Sequence, residues 1–331
     1  MTVDRAAFSS LSSLREGRIE LGYLPMTLSG LLNVLVFTSI FASIYALLSL
    51  GLNLQWGYTG LFNVGVAGFY AIGAYTSALL TIPLSPYHLG GFNLPIPVGM
   101  LGAMLTSGLL AYVVGKPTLR LREDYLAIAT ISIAETLRLL LKNEAWLTNG
   151  VQGLRDIPRP LPQTFGAFYD VFYLLLLLLT VAVVSLASER LIRSPWGRVL
   201  KAIREDEAVA ASVGKDVFRF KMQALVLGAM LMGLGGSFYA HYVKFISPDT
   251  FNPLMGTFLV WVMLMAGGSG NNRGAIVGAA VIWGLWSLSD VLTAKLPAPL
   301  DTRGSYLRVM LIGFVLQGIL LKRPQGIVPE H

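Results

Sequence analysis

The 331-residue chain is 54% hydrophobic and only 13% charged, about half the charged share of an ordinary soluble domain, so a water-soluble globular protein is excluded. Its net charge of +7 does not indicate nucleic acid, because the basic residues fall between long apolar runs, where they set topology and meet anionic lipid headgroups. There is no cysteine and only His88, His241 and His331, which excludes disulfides and thiolate metal sites and argues against a histidine-built one.

Residues 1–26 form a polar segment in which Arg5, Arg15 and Arg18 are balanced by Asp4, Glu16 and Glu20. It lacks the apolar core and small-residue cleavage pattern of a signal peptide. Residues 27–50 are uncharged and exceed the ~20 residues that a bilayer requires, which predicts a retained span. Residues 51–80 are also uncharged, yet rich in glycine and side-chain amides. Gly65, Phe69, Gly73 and Ser77 recur every four residues, as do Ala67, Ala71 and Tyr75, and such stripes let helices approach closely in lipid. The glycines and asparagines of 56–65 predict a broken or re-entrant entry to this helix, a geometry tolerated only where protein or a cavity covers it.

Residues 83–97 are a turn-rich loop of the external side. The next span, 94–115, carries a small-residue stripe of Gly99, Ala103, Ser107, Ala111 and Gly115, and Lys116, Arg120 and Arg122 follow as a positive-inside mark. In the span 125–141, Glu135 and Arg138 are three residues apart and able to pair on one face. An ionised group within a span is a functional candidate, but the pair lies near the helix end, which favours a structural or interfacial role. Residues 142–170 form a long polar external loop, and 171–188 are another span.

The segment 194–221 is the longest charged stretch between apolar runs. Pro195 can open a helix and Gly214 close one, predicting a single helix over 197–213. Val199, Ala202, Ile203, Val209 and Val213 are expected on its inner face, with Arg198, Lys201, Arg204, Glu205, Asp206 and Glu207 available to the outer. An amphipathic helix between two spans lies on the membrane surface or docks into a partner.

Four more apolar runs follow at 222–243, 251–266, 274–293 and 306–321. Gly270, Gly274 and Gly278 form a small-xxx-small pattern through a tight turn, and Lys322 and Arg323 place the C-terminus on the cytoplasmic side. The expected fold is all-α, a polytopic membrane bundle of nine to ten transmembrane helices. Its divisions are 1–26, a permease domain at 27–321 containing the charged segment 190–221, and a tail at 322–331. Nine full crossings put the N-terminus outside, while an inside N-terminus requires an extra crossing or re-entrant pair in 51–80.

No G-x-x-x-x-G-K-[ST] loop or H-E-x-x-H spacing occurs, and no nucleophile–His set has a plausible setting, so an enzyme is poorly supported. An ion-coupled transporter needs carboxylates near the midplane, whereas Glu135 and Asp290 fall toward span ends.

The run GRVLKAIREDEAVAASVGKDVFRFK resembles the coupling loop of LivM-type permease subunits of branched-chain amino acid ABC importers, the ATP-driven importers that use separate ATPase subunits. The matching residues are Gly197, Arg198, Ala202, Arg204, Glu205, Asp206, Glu207, Ala210 and Gly214. Residues 51–80, DYLAIATISIAETLRLLL, NGVQGLRDIPRP, GGSGNNRGAIVG and KRPQGIVP are similar to the same family, in order, from about residue 50 to 329. The resemblance implies a permease of a bacterial inner membrane whose coupling helix sits in a cleft of an ATPase subunit. It implies a LivH-type permease, LivG- and LivF-type ATPases and an external substrate-binding protein as partners. ATP and Mg would bind those ATPases, leaving no cofactor on this chain. Asn63, Gly65, Ala71 and Gly73 become candidates for the translocation path, with close helix packing as the other reading. Importers of urea, short amides or other small polar solutes share the pattern.

Overall fold

The computed structural model describes residues 28–84, 90–293 and 304–329. The expectations for the polar N-terminal segment, His88 and His331 lie outside the described residues. Uncharged apolar runs must satisfy their backbone internally in lipid, and helices do so. The nine runs emerge as α1 (Leu28–Leu52), α2 (Val66–Thr81), α3 (Ile96–Thr118), α4 (Glu123–Asn143), α5 (Tyr169–Arg193), and then, after two short helices, α8 (Val217–Val243), α9 (Leu259–Gly267), α10 (Asn272–Thr293) and α11 (Gly304–Lys322). The two short helices are α6 (Pro195–Glu205) and α7 (Glu207–Ser212).

Four helices, beginning at Leu32, Ile96, Tyr169 and Val217, are long and apolar enough to cross a bilayer alone. The segment Leu254–Gly267 and α10 form a fifth unit bent by 119°. The predicted break near residue 60 is present: α1 runs into a π-helical turn at Asn53–Gly57, residues 58–65 are not helical, and α2 is short.

α8 is the hub and packs against α1, α2 and α3. The predicted small-residue stripes make these contacts possible. A methyl group added at Gly73 would lie 2.3 Å from the Gly233 Cα and carbonyl oxygen, so α2 and α8 touch backbone to backbone. The α3 stripe from Gly99 to Gly115 is buried, and Ser107 Oγ donates to the Phe69 carbonyl at 3.0 Å. α10 stacks Trp283 on Tyr45 and Phe41 of α1, with centroids 4.6 and 5.3 Å apart.

The two ends differ in charge. Among the described residues the end holding Arg122, Arg193 and Lys322 has fourteen Lys and Arg against seven Asp and Glu, whereas the other end has six of each. At this far end Arg138 holds Glu135 and Asp249, and Lys142 also reaches Asp249 at 3.2 Å. The expected helix-face pair is thus part of a larger network. His241 is fully used, bonding Ser77 Oγ at 2.8 Å and the Pro158 carbonyl at 2.7 Å. At the basic end the residues after α11 turn back, and the Ile327 and Val328 amides donate to the Ala266 and Gly267 carbonyls, each at 2.9 Å. Those carbonyls lie at the end of α9, where a helix leaves acceptors without intrahelical partners.

Candidate functional site

The charged segment folds as an elbow rather than the single helix expected over 197–213. Pro195 opens α6 as predicted. Gly197 is buried where a methyl would lie 2.0 Å from the Ile192 carbonyl oxygen, so the corner after α5 admits no side chain there. α6 stops at Asp206, whose backbone is extended, and the Asp206 carboxylate accepts the Val209 amide at 3.0 Å to start α7. This is ordinary N-capping by aspartate. Gly214 has φ of +79° and ends the second helix in the left-handed conformation that glycine adopts freely. Asp216 then caps α8 through the Arg219 amide at 3.1 Å.

The extended residue at 206 separates α6 from α7. Ile203 and Ala210 turn inward onto Val217, with Val199 and Phe220 packed beside them, and Leu200 joins the main core. Val209 and Val213, expected inside, point out and are 58% and 67% exposed. Ala202 is exposed as well. At about 100° per residue Val209 lies about 120° and Val213 about 80° from Ile203, whereas Ala210 lies within about 20° of it, so a buried face centred on Ile203 and Ala210 leaves both valines outside.

The charges sort into those used by the chain and those left outward. An Arg204 guanidinium nitrogen donates to the Gly57 carbonyl, and Lys201 lies 5.8 Å from the centre of the Tyr58 ring. Glu207 pairs with Lys221, and Asp206 serves as the cap. Arg198 and Glu205 are exposed, and neither forms an ion pair among the described residues. The outward face of α6 and α7 therefore offers Arg198 and Glu205 beside two valines. These side chains lie on an elbow outside the apolar spans.

Behind Arg204 lies a buried polar corner. Asn53, in the π-helical turn that ends at Gly57, donates to Asn272 Oδ1 at 3.0 Å and accepts the Gly270 amide at 2.8 Å. Gln55 donates to the Leu225 carbonyl at 2.8 Å and accepts from Asn63 Nδ2 at 2.7 Å. Asn63 accepts the Gly65 amide at 2.8 Å, and its carbonyl takes the Trp261 indole at 3.0 Å. Thr130 and Thr257 receive the amides of Val64 and Ala67, both at 3.0 Å. Every bond here satisfies a group that would cost about 1–3 kcal/mol if buried alone.

Of the candidate path residues, Asn63 and Gly65 belong to this corner, whereas Ala71 and Gly73 lie deeper on α2, buried within the chain. The structure does not gather these four with the nine elbow residues into one site; Arg204 and Gly57 connect the two regions. Sequence reasoning passed over Asn53, Gln55 and Asn272, although amides within an uncharged span are the signal for a buried network. Among the described residues no group of three acidic or histidine side chains is placed to hold a metal.

Comparison with known proteins gives a consistent result. Residues 34–320 match the family described as branched-chain amino acid transport system / permease component. The chain is 34% identical, over 86% of its length and 68% of the relative's, to the high-affinity branched-chain amino acid transport system permease protein LivM of Salmonella typhimurium. It is 28% identical to the probable branched-chain amino acid transport permease protein LivM of Methanocaldococcus jannaschii, over 87% of this chain and 91% of the other. The LivH permease of Salmonella typhimurium is 23% identical over 86% of this chain and 92% of its own. No solved structure matches.

Proposed function

The chain belongs to the branched-chain amino acid transport permease family, and from that premise we propose that it forms part of the membrane path for branched-chain amino acids beside a LivH-type permease. It is a multi-pass membrane permease and a transport subunit, not an enzyme. LivG- and LivF-type ATPases would bind ATP and Mg at the basic end, and a substrate-binding protein would deliver its cargo at the far end. The excess of Lys and Arg at the basic end supports a cytoplasmic position for it in the bacterial inner membrane, and the same end carries Lys322 and the residues after it.

The observation that carries the docking reading is the outward face of the elbow, where Arg198, Glu205, Val209 and Val213 are all exposed. In this proposal an ATPase cleft covers these side chains, with Ala202 allowing close approach. Closure of the ATPases would displace α6 and α7, and the Arg204–Gly57 bond would carry that displacement into the π-helical turn. The path would open beside α2, with Asn63 and Gly65 supplying its broken backbone wall and Ala71 and Gly73 holding that wall to its neighbours.

The test is a Glu205→Lys, Val209→Asp variant, assayed by co-purification of the ATPase subunits and by amino acid uptake into vesicles. Breaking a hydrogen-bonded charge in a desolvated interface costs about 2–5 kcal/mol, against less than about 1 kcal/mol for a solvated one. Loss of both association and uptake, with the chain still inserted, is expected. Wild-type association and uptake would show that the ATPases grip elsewhere.

A further inference from the structure

At the basic end, α3, α8 and the junction of α5 with α6 enclose a groove of about 590 Å³. Its wall is formed by Tyr112, Leu191, Trp196, Met222, Val226 and Leu227, with Phe218 and Arg219 at the mouth. Some of the polar groups along it are already engaged. The Trp196 indole donates to Gln223 Oε1 at 2.7 Å, and the Asp216 carboxylate accepts the Arg219 amide. The surface left facing the groove is largely carbon.

The rim is basic. Arg219 is exposed, the Arg120 guanidinium lies 5.9 Å from the Phe218 ring centre, and Lys116 lies 4.6 Å from the Tyr112 ring centre. Asp216 is the acid that lines the groove, and nearby Glu207 is engaged by Lys221. From Phe218 to Leu227 the groove follows α8 for about 13 Å at 1.5 Å per residue. One leaflet of the hydrocarbon core is about 15 Å deep, half of a full core. An apolar slot one leaflet deep, opening at the membrane surface under three cations, has the shape and charge of a bound anionic lipid.

We propose that this groove is an anionic phospholipid site, with an acyl chain along α8 and the headgroup phosphate held by Lys116, Arg120 and Arg219. The lipid would touch Trp196 in the first turn of α6, so the membrane itself would brace the elbow. A zwitterionic lipid would meet the same apolar wall with much weaker attraction at the rim. A protein helix seated here would need acidic residues to answer the three cations.

The chain, purified in mild detergent with whatever subunits accompany it, is exchanged into nanodiscs of phosphatidylglycerol or phosphatidylcholine, and retained lipid is read by native mass spectrometry. Phosphatidylglycerol should be retained at least tenfold over phosphatidylcholine. Arg120→Gln and Arg219→Gln should each lower its retention about fivefold, the factor that corresponds to about 1 kcal/mol per basic residue at an anionic surface. Leu227→Trp, which narrows the groove without touching the rim, should reduce retention of both lipids. Equal retention of the two lipids, or retention unchanged by the arginine substitutions, would overturn the headgroup assignment. Displacement by inorganic phosphate would reduce the site to a free-anion site, and a photo-cross-link from Leu227 to protein rather than lipid would overturn the proposal.

Discussion

The elbow at 194–221 and the corner at 53–65 are both rich in polar and small residues, and they use them in opposite ways. In the corner Asn53, Gln55 and Asn63 are buried and bonded to one another's elements. The chain supplies the partners of these three side chains itself, and Asn272 Nδ2 is the donor of that network left without one among the described residues. In the elbow Arg198, Glu205, Val209 and Val213 face outward, without ion pairs or cover from the described residues. The difference separates polarity that specifies a fold from polarity left at the surface, and burial of the partners, rather than composition, tells the two apart.

The largest effect on the chain itself is expected inside. Gly73→Leu forces a side chain into the α2–α8 backbone contact, where even a methyl has no room. Overpacking typically costs about 1–3 kcal/mol, and a clash with backbone belongs at the upper end or beyond. Thermal unfolding of the detergent-purified variant should show a large drop, with transport lost. A wild-type unfolding temperature would mean that α2 and α8 do not meet as described.

Gln55→Leu comes next. It removes the acceptor of Asn63 Nδ2 and the bond to Leu225, and an orphaned buried amide costs about 1–3 kcal/mol. The same unfolding assay should register a clear but smaller loss. If none is seen, water or another group satisfies Asn63, and the corner is less closed than its contrast with the elbow requires.

The smallest effect belongs to Glu207→Gln. Glu207 is 58% exposed although Lys221 is only 15% exposed, and the glutamine keeps an oxygen for that amine, so the loss should stay below about 1 kcal/mol. Unfolding should be nearly unchanged. Sharp destabilisation would place Glu207 with the interior residues and blur the distinction between elbow and corner.

Much of the fold was legible because spans are written in long uncharged runs that only helices can satisfy in lipid. The break near residue 60 was legible too, from Gly57, Gly60, Asn63 and Gly65 crowding one stretch. The bend at Asp206 was missed because the apolar spacing around it suits one helix nearly as well as two. Aspartate followed by glutamate at a helix start was the available clue. The corner was beyond any local pattern: Asn53 and Asn272 meet across 219 positions, and periodicity carries no information at that range. The outward face of the elbow was missed because the buried face is narrower than the apolar spacing suggested: it centres on Ile203 and Ala210 and leaves Val209 and Val213 outside.

The clip formed by Ile327 and Val328 bears on how the molecule is made. The carbonyls of Ala266 and Gly267 leave the ribosome about sixty residues before the amides that cover them, an interval of about 3–12 s at 5–20 residues per second. During that interval the end of α9 is an unfinished seam. A chain stalled before residue 327 would leave those two acceptors beside the α9–α10 turn without the amides that cover them.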